Sequence, residues 1–101
     1  MTGSDVADAV RALIEEVPAG KVVTYGDLGH AVDVGARQIG RILASGGHDV
    51  AWWRVVDASG HPPENAQDAA ADRYVAEGTP FHRTGGRVTV NLSACRWSIN
   101  G

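Results

Sequence analysis

The chain has 101 residues, 44% of them hydrophobic and 21% charged, a size that supports one domain spanning residues 1–101 around a modest core. No apolar run approaches the roughly 20 residues needed to cross a bilayer, and the opening MTGSDVADAV has no basic region followed by an apolar stretch, so neither a membrane nor a secretion signal is expected. The formal net charge of −3 argues mildly against nucleic-acid binding, because most duplex binders carry a basic footprint.

Residues 5–16 form the first predicted helix. Val6, Val10, Leu13, Ile14 and Val17 recur at helical spacing, and Ser4 or Asp5 can cap the start. Pro18-Ala19-Gly20 ends it. After the extended link Lys21-Val22-Val23, Thr24 is a good N-cap for a second helix over 25–32. Asp27 stands at the third helical position, as in a capping box. A turn at Asp33 to Gly35 leads to a third helix over 36–44, with Ile39, Ile42 and Leu43 facing inward. Two short helices joined by a tight turn are the helix-turn-helix signature, with the second as the recognition helix.

Ser45 to Asp49 reads as a loop, Trp53 to Asp57 as an apolar β-prone run, and Ala58 to Pro63 as a turn-rich loop. An alanine-rich helix follows from Asn65 to Glu77 and ends at Gly78, a natural position for a glycine after a helix. Phe81-His82 and Arg87 to Asn91, on either side of Gly85-Gly86, predict a short hairpin. Trp97 and its neighbours are expected to pack back on the core. The fold class is therefore mainly α with a small β-hairpin, a winged helix-turn-helix-like DNA-binding domain.

Charge is unevenly spread. Asp5, Asp8, Glu15 and Glu16 fall in the first helix, and Glu64, Asp68, Asp72 and Glu77 in or beside the later one. Between Val34 and His48 there is no acid, while Arg37 and Arg41 fall there. One neutral-to-basic face on an otherwise acidic protein predicts weak non-specific DNA binding with a modest salt slope.

Three ordered strings carry a resemblance that the helix-turn-helix pattern alone does not. Val17 to Leu28 (VPAGKVVTYGDL), Gly35 to Gly40 (GARQIG) and Ala51 to Val56 (AWWRVV) resemble, in order and spacing, segments of the C-terminal domain of O6-alkylguanine-DNA alkyltransferases. GARQIG stands where that family has A-R-x-V-G in its recognition helix, and AWWRVV where it has the active-site motif P-C-H-R-V. Ala76-Glu77-Gly78 matches the end of the following helix. The resemblance covers roughly residues 5–97.

The family removes an alkyl group with a cysteine thiolate, activated through water by a histidine that a glutamate orients. On this alignment Trp52 takes the cysteine position and Trp53 the histidine position. Counting back from Glu77-Gly78 assigns the glutamate position to Ala71. An indole is neither a usable nucleophile nor a general base at neutral pH, so no catalytic residue and no enzyme activity are expected. Tryptophan in place of cysteine is the mark of the alkyltransferase-like branch. That likeness implies binding to O6-alkylguanine lesions in duplex DNA by nucleotide flipping without transfer, with the lesion flagged for nucleotide excision repair.

The resemblance also implies roles. Arg37 matches the arginine finger that fills the gap left by a flipped nucleotide. The helix would approach the minor groove, and the small residues Ala36 and Gly40 suit close approach. Gln38 and Arg41 lie on the same helix, and Thr24 could touch phosphate as well as cap. Tyr25 matches the tyrosine that pushes on the 3′ phosphate. Tyr25, Trp52, Val55, Ser59 and Gly60 would form the lesion pocket. Read without the motif, Arg37 is a solvated surface arginine and Trp52 a core tryptophan. Trp53 departs from the family histidine and reads first as packing, and Arg54 reads as a brace between loops. The family branch often carries an arginine in the loop after the motif. Here Gly60-His61-Pro62-Pro63-Glu64 has none, and His61 is the partial substitute.

Cys95 lies far from the motif and reads as a packing residue. A lone cysteine excludes an internal disulfide and a multi-cysteine zinc site. His30, His48, His61 and His82 lack metal-ligand spacing, so neither metal nor cofactor is expected. The partners expected are double-stranded DNA containing alkylated guanine and nucleotide excision repair proteins, with the chain itself a monomer. The expected location is cytoplasmic, nucleoid-associated in a bacterium or nuclear in a eukaryote. Two other readings remain open: a helix-turn-helix regulator of undamaged DNA, and a degenerate scaffold that binds a repair protein but no DNA.

Overall fold

The computed structural model describes residues 3–46 and 49–99. Helix α1 (Gly3–Glu16) begins earlier than its spacing predicts, so Ser4 and Asp5 lie within its first turn. Its buried stripe of Val6, Val10 and Ile14, continued by Val17, meets Val23, Leu28, Ile39, Val50 and Val55 in one apolar cluster. Helices α2 (Tyr25–Val32) and α3 (Ala36–Gly46) lie across it. Helix α3 runs two residues beyond the predicted end, and His48 lies outside the described residues.

Strand β1 (Val23–Thr24) pairs in parallel with β2 (Val55–Val56), Val23 opposite Val55 and Thr24 opposite Val56. Successive residues of an extended chain point to opposite sides, and here the two sides are two cores. Val23 and Val55 enter the first cluster, while Val22 and Val56 enter a second with Ala70, Ala71, Tyr74, Val88, Val90 and Cys95. The short parallel pair thus welds the helical half to the rest. The β-prone run expected over 53–57 is shorter than predicted, because Trp52–Arg54 coils into one 3-10 turn.

The second half is α4 (Gln67–Glu77), preceded by a 3-10 turn at Glu64–Ala66, then β3 (Phe81–Thr84), β4 (Arg87–Val90) and α5 (Leu92–Cys95). Strands β3 and β4 form the predicted antiparallel hairpin. Its two-residue turn needs left-handed backbone at both positions, which Gly85 (φ 58°) and Gly86 (φ 82°) supply. The chain then returns to the first half. The Trp97 amide donates to the Val22 carbonyl (2.8 Å), Trp97 packs on the first cluster, and Arg96 ion-pairs with Asp27 (2.6 Å). The hydrogen bond from Arg96 is the main cause holding the Asp27 carboxyl below its ordinary value.

Candidate nucleic-acid interface

The turn that sets α3 is fixed by local chemistry. Thr24 and Asp27 form the predicted capping box: the Asp27 amide donates to Thr24 Oγ1 (3.0 Å) and the Thr24 amide to Asp27 Oδ2 (3.1 Å). At the other end Asp33 takes left-handed backbone (φ 60°) and the Val34 amide donates to the Gly29 carbonyl (2.8 Å). Only glycine fits at position 29, since a Cβ there would lie 2.5 Å from the Val34 carbonyl oxygen. The turn is therefore drawn tight against α2, and it delivers α3 with its outer face clear.

That face carries Ala36, Arg37, Gln38 and Arg41, all exposed. Helix α3 contains no acid, and neither arginine ion-pairs among the described residues. Gly40 and Arg41 lie three and four residues after Arg37, and Ala44 lies four and three after them, so they form one stripe. The stripe runs from two cationic side chains to the edge of a cleft.

The cleft, about 440 Å³ in volume, lies between α3 and the segment leading into α4. Tyr25, Gly40, Leu43, Ala44 and Trp52 line one part, and Pro63, Asn65 and Ala66 the other. This volume falls in the range of small-molecule sites. Burial, aided by the negative charge of Asp57, raises the Tyr25 phenol above its ordinary value and keeps it a neutral donor.

Of the residues expected from sequence, Tyr25, Trp52 and Gly40 meet at this cleft. Val55 does not, because its side chain is sealed in the first core cluster. Ser59 and Gly60 do not line it either. Their loop is folded around the Asp57 carboxylate, which accepts from the Ser59 and His61 amides (both 2.9 Å), and it is tied to β4 by the Val90 amide donating to the Gly60 carbonyl (2.8 Å). His61 likewise turns to Arg87, 3.2 Å away, and away from the cleft. Thr24 is corrected as a phosphate contact: it is buried, and both its hydroxyl and its amide are engaged in the cap. Leu43 and Ala44 were findable by helical spacing from Gly40. Asn65 had no local signal.

Behind Trp52 stands a network that sequence counting misplaced. Trp53 meets Trp52 edge to face, ring centroids 5.7 Å apart at 89°. Its Nε1 donates to Glu77 Oε1 (3.0 Å), and the Arg73 guanidinium lies 4.4 Å over its ring centroid. Glu77 is thus the carboxylate beside Trp53. Ala71, assigned that place by counting, is a small core residue of the second cluster. Arg54 binds the same carboxylate through Nε and Nη2 (3.1 and 2.5 Å to Oε1) and reaches the Val17 carbonyl through Nη1 (2.9 Å). It does brace distant loops. Burial pushes the Glu77 carboxyl up, but hydrogen bonds from Arg54, the Gly20 amide and Trp53 outweigh it and hold the group below its ordinary value.

The one thiol is elsewhere. Cys95 is buried in the second cluster, its Sγ donates to the Asn91 carbonyl (3.1 Å), and burial raises its pKa. Nucleophilic thiols need the opposite environment. No cluster that could hold a metal occurs among the described residues, and no described helix is long and apolar enough to cross a membrane.

The sequence profile of the DNA-binding domain of 6-O-methylguanine DNA methyltransferase matches residues 5–83. The chain belongs to that family. Comparison with curated protein sequences gives no match. Among solved structures, Schizosaccharomyces pombe Atl1 in complex with damaged DNA containing O6-carboxymethylguanine is similar, with 27% identity and a TM-score of 0.86 over 97% of this chain and 99% of that one. A second structure, S. pombe ATL in complex with DNA, matches with the same figures. The fold is that helix-turn-helix-type DNA-binding domain, and the chain is of the alkyltransferase-like type.

Proposed function

We propose that this protein recognises O6-alkylguanine in duplex DNA, turns the damaged nucleotide into the cleft beside α3, leaves the adduct unaltered, and marks it for nucleotide excision repair. The observation that carries the reading is Trp52. An indole forms the cleft wall at the motif position where the family places its nucleophile, and the single thiol is buried in the second cluster and does not line the cleft. The similar S. pombe protein bound to O6-carboxymethylguanine DNA supports a damaged-DNA ligand.

Each residue has a physical task in this reading. Arg37 and Arg41 meet the backbone charge, and Arg37, one turn before the cleft edge, fills the stack that the nucleotide vacates. Tyr25 stands at the start of α2 with its phenol at the cleft, placed to press on the phosphate beside the flipped nucleotide. Trp52 offers its ring to the flipped base, a kind of contact worth about 1–3 kcal/mol per base in single-strand binders. An alkylated guanine pairs poorly, so it costs less to extrude than an intact one. With only these two cations on α3, non-specific binding should be weak, its salt slope near about −2.

Titration of a duplex containing one O6-methylguanine against its unmodified counterpart tests the proposal. Tighter binding to the lesion is expected, and equal affinity for both duplexes would refute it. A regulator of undamaged DNA would instead prefer a particular unmodified sequence.

A further inference from the structure

We propose that the cleft selects uncharged adducts and discriminates against alkyl groups that end in a carboxylate. The inference rests on the lesion-recognition reading and concerns the chemical class of lesion admitted.

The lining supplies the argument. Tyr25, Gly40, Leu43, Ala44, Trp52, Pro63, Asn65 and Ala66 include no cation, and their polar side-chain groups are the Tyr25 phenol, the Asn65 amide and the Trp52 indole N–H. Three cations of neighbouring segments are directed elsewhere. Arg54 is bound to Glu77 and Arg73 lies over Trp53, while Arg87 contacts His61 outside the cleft. Arg41 is on the outer face of α3, where the DNA backbone is its natural partner.

The rim carries both signs, since Arg41 follows Gly40 on α3 and two acids stand near other lining residues. Glu64 precedes Asn65 on the rim segment, and the charge of Asp57 is felt at the Tyr25 phenol. An adduct carboxylate entering this space would lose water and gain only neutral hydrogen-bond donors from the lining. Burying an anion without a cationic partner is strongly unfavourable. A neutral alkyl, aralkyl or amide-bearing adduct meets no such cost, and its apolar surface gains contact with Trp52, Leu43 and Pro63.

S. pombe Atl1 is seen with O6-carboxymethylguanine DNA, so at 27% identity the two proteins are expected to differ in adduct preference.

The test compares four otherwise identical duplexes, carrying guanine, O6-methylguanine, O6-carboxymethylguanine, or its uncharged isostere O6-carbamoylmethylguanine. The carbamoylmethyl adduct should bind at least about tenfold more tightly than the carboxymethyl adduct, since the two differ chiefly in charge. Asn65→Lys, a change at an exposed position, should narrow that gap by improving carboxymethyl binding selectively. Equal affinity for the two isosteres, with both preferred over guanine, would overturn this inference and leave lesion recognition standing. A gap unchanged by Asn65→Lys would also overturn its attribution to the cleft. No preference for any adduct over guanine would instead refute lesion recognition itself.

Discussion

Replacing Glu77 with alanine should destabilise this fold by about 3–5 kcal/mol, the usual cost of breaking a buried ion pair from one side. The site meets the condition for that figure. The Arg54 and Glu77 side chains are only 18% and 12% exposed, so solvent screens the pair weakly. Glu77 also accepts from Trp53 Nε1 and the Gly20 amide. Its removal leaves Arg54 with the Val17 carbonyl as its remaining hydrogen-bond partner among the described residues. In a domain of this size the loss is a large part of a total near 5–15 kcal/mol. Urea denaturation followed by tryptophan fluorescence measures it. Glu77→Gln keeps the shape but not the charge and should lose less, about 1.5–3 kcal/mol. The double variant Arg54→Met with Glu77→Met should recover much of the loss, because neither charge is then buried alone. Acid has a related effect. The folded carboxyl ionises below its ordinary value of 4.5, so its contribution is complete above that pH and is lost as the pH falls through the lowered value. The wild type should therefore weaken on acidification more steeply than Glu77→Ala. A Glu77→Ala variant within about 0.5 kcal/mol of wild type, the range of ordinary surface changes, would refute the reasoning.

Three further outcomes are expected. Gly29→Ala forces a methyl to within 2.5 Å of the Val34 carbonyl and should cost about 1–3 kcal/mol, together with some DNA affinity, as the turn before α3 opens; a wild-type melting curve would contradict this. Thr79 is buried and its hydroxyl has no hydrogen-bond partner among the described residues. Thr79→Val should therefore raise stability by about 1 kcal/mol in the same urea assay, and a less stable variant would show that the hydroxyl is satisfied after all. Arg37→Ala should reduce the affinity ratio between lesion and intact duplexes, whereas loss of affinity for both in equal proportion would assign Arg37 to phosphate contact alone.

What could be read from the sequence was what neighbouring residues decide. The Thr24–Asp27 capping box, the α2 boundaries and the Gly85-Gly86 hairpin turn all rest on chemistry within four residues, and the structure reproduces them. The Tyr25 and Trp52 edges of the cleft came from ordered motifs. Contacts between distant segments were not legible. The parallel pairing of Val23 with Val55 joins residues whose local patterns say nothing of each other. Glu77 was passed over because counting along α4 gives a position but not a direction. Its carboxylate, on the last turn of α4, spans 24 residues of sequence to reach Trp53. The resemblance implies a pocket that includes Val55, Ser59 and Gly60, yet burial in the core and the turn around Asp57 take them away from the cleft.

That correction changes what the altered motif means. Trp52 and Trp53 stand edge to face at the cleft wall, and the Glu77 carboxylate is held behind them. Its partners are an indole N–H and a guanidinium, so it holds the cleft wall in place. Rigidity is what this arrangement offers.

Native mass spectrometry of the protein incubated with a mixture of O6-methylguanine and unmodified duplexes tests both halves of the proposal in one spectrum. The account predicts a complex enriched in the lesion duplex, whose mass is the sum of unaltered protein and still-methylated DNA. Protein heavier by one methyl group, or complexes that contain the two duplexes in equal measure, would contradict it.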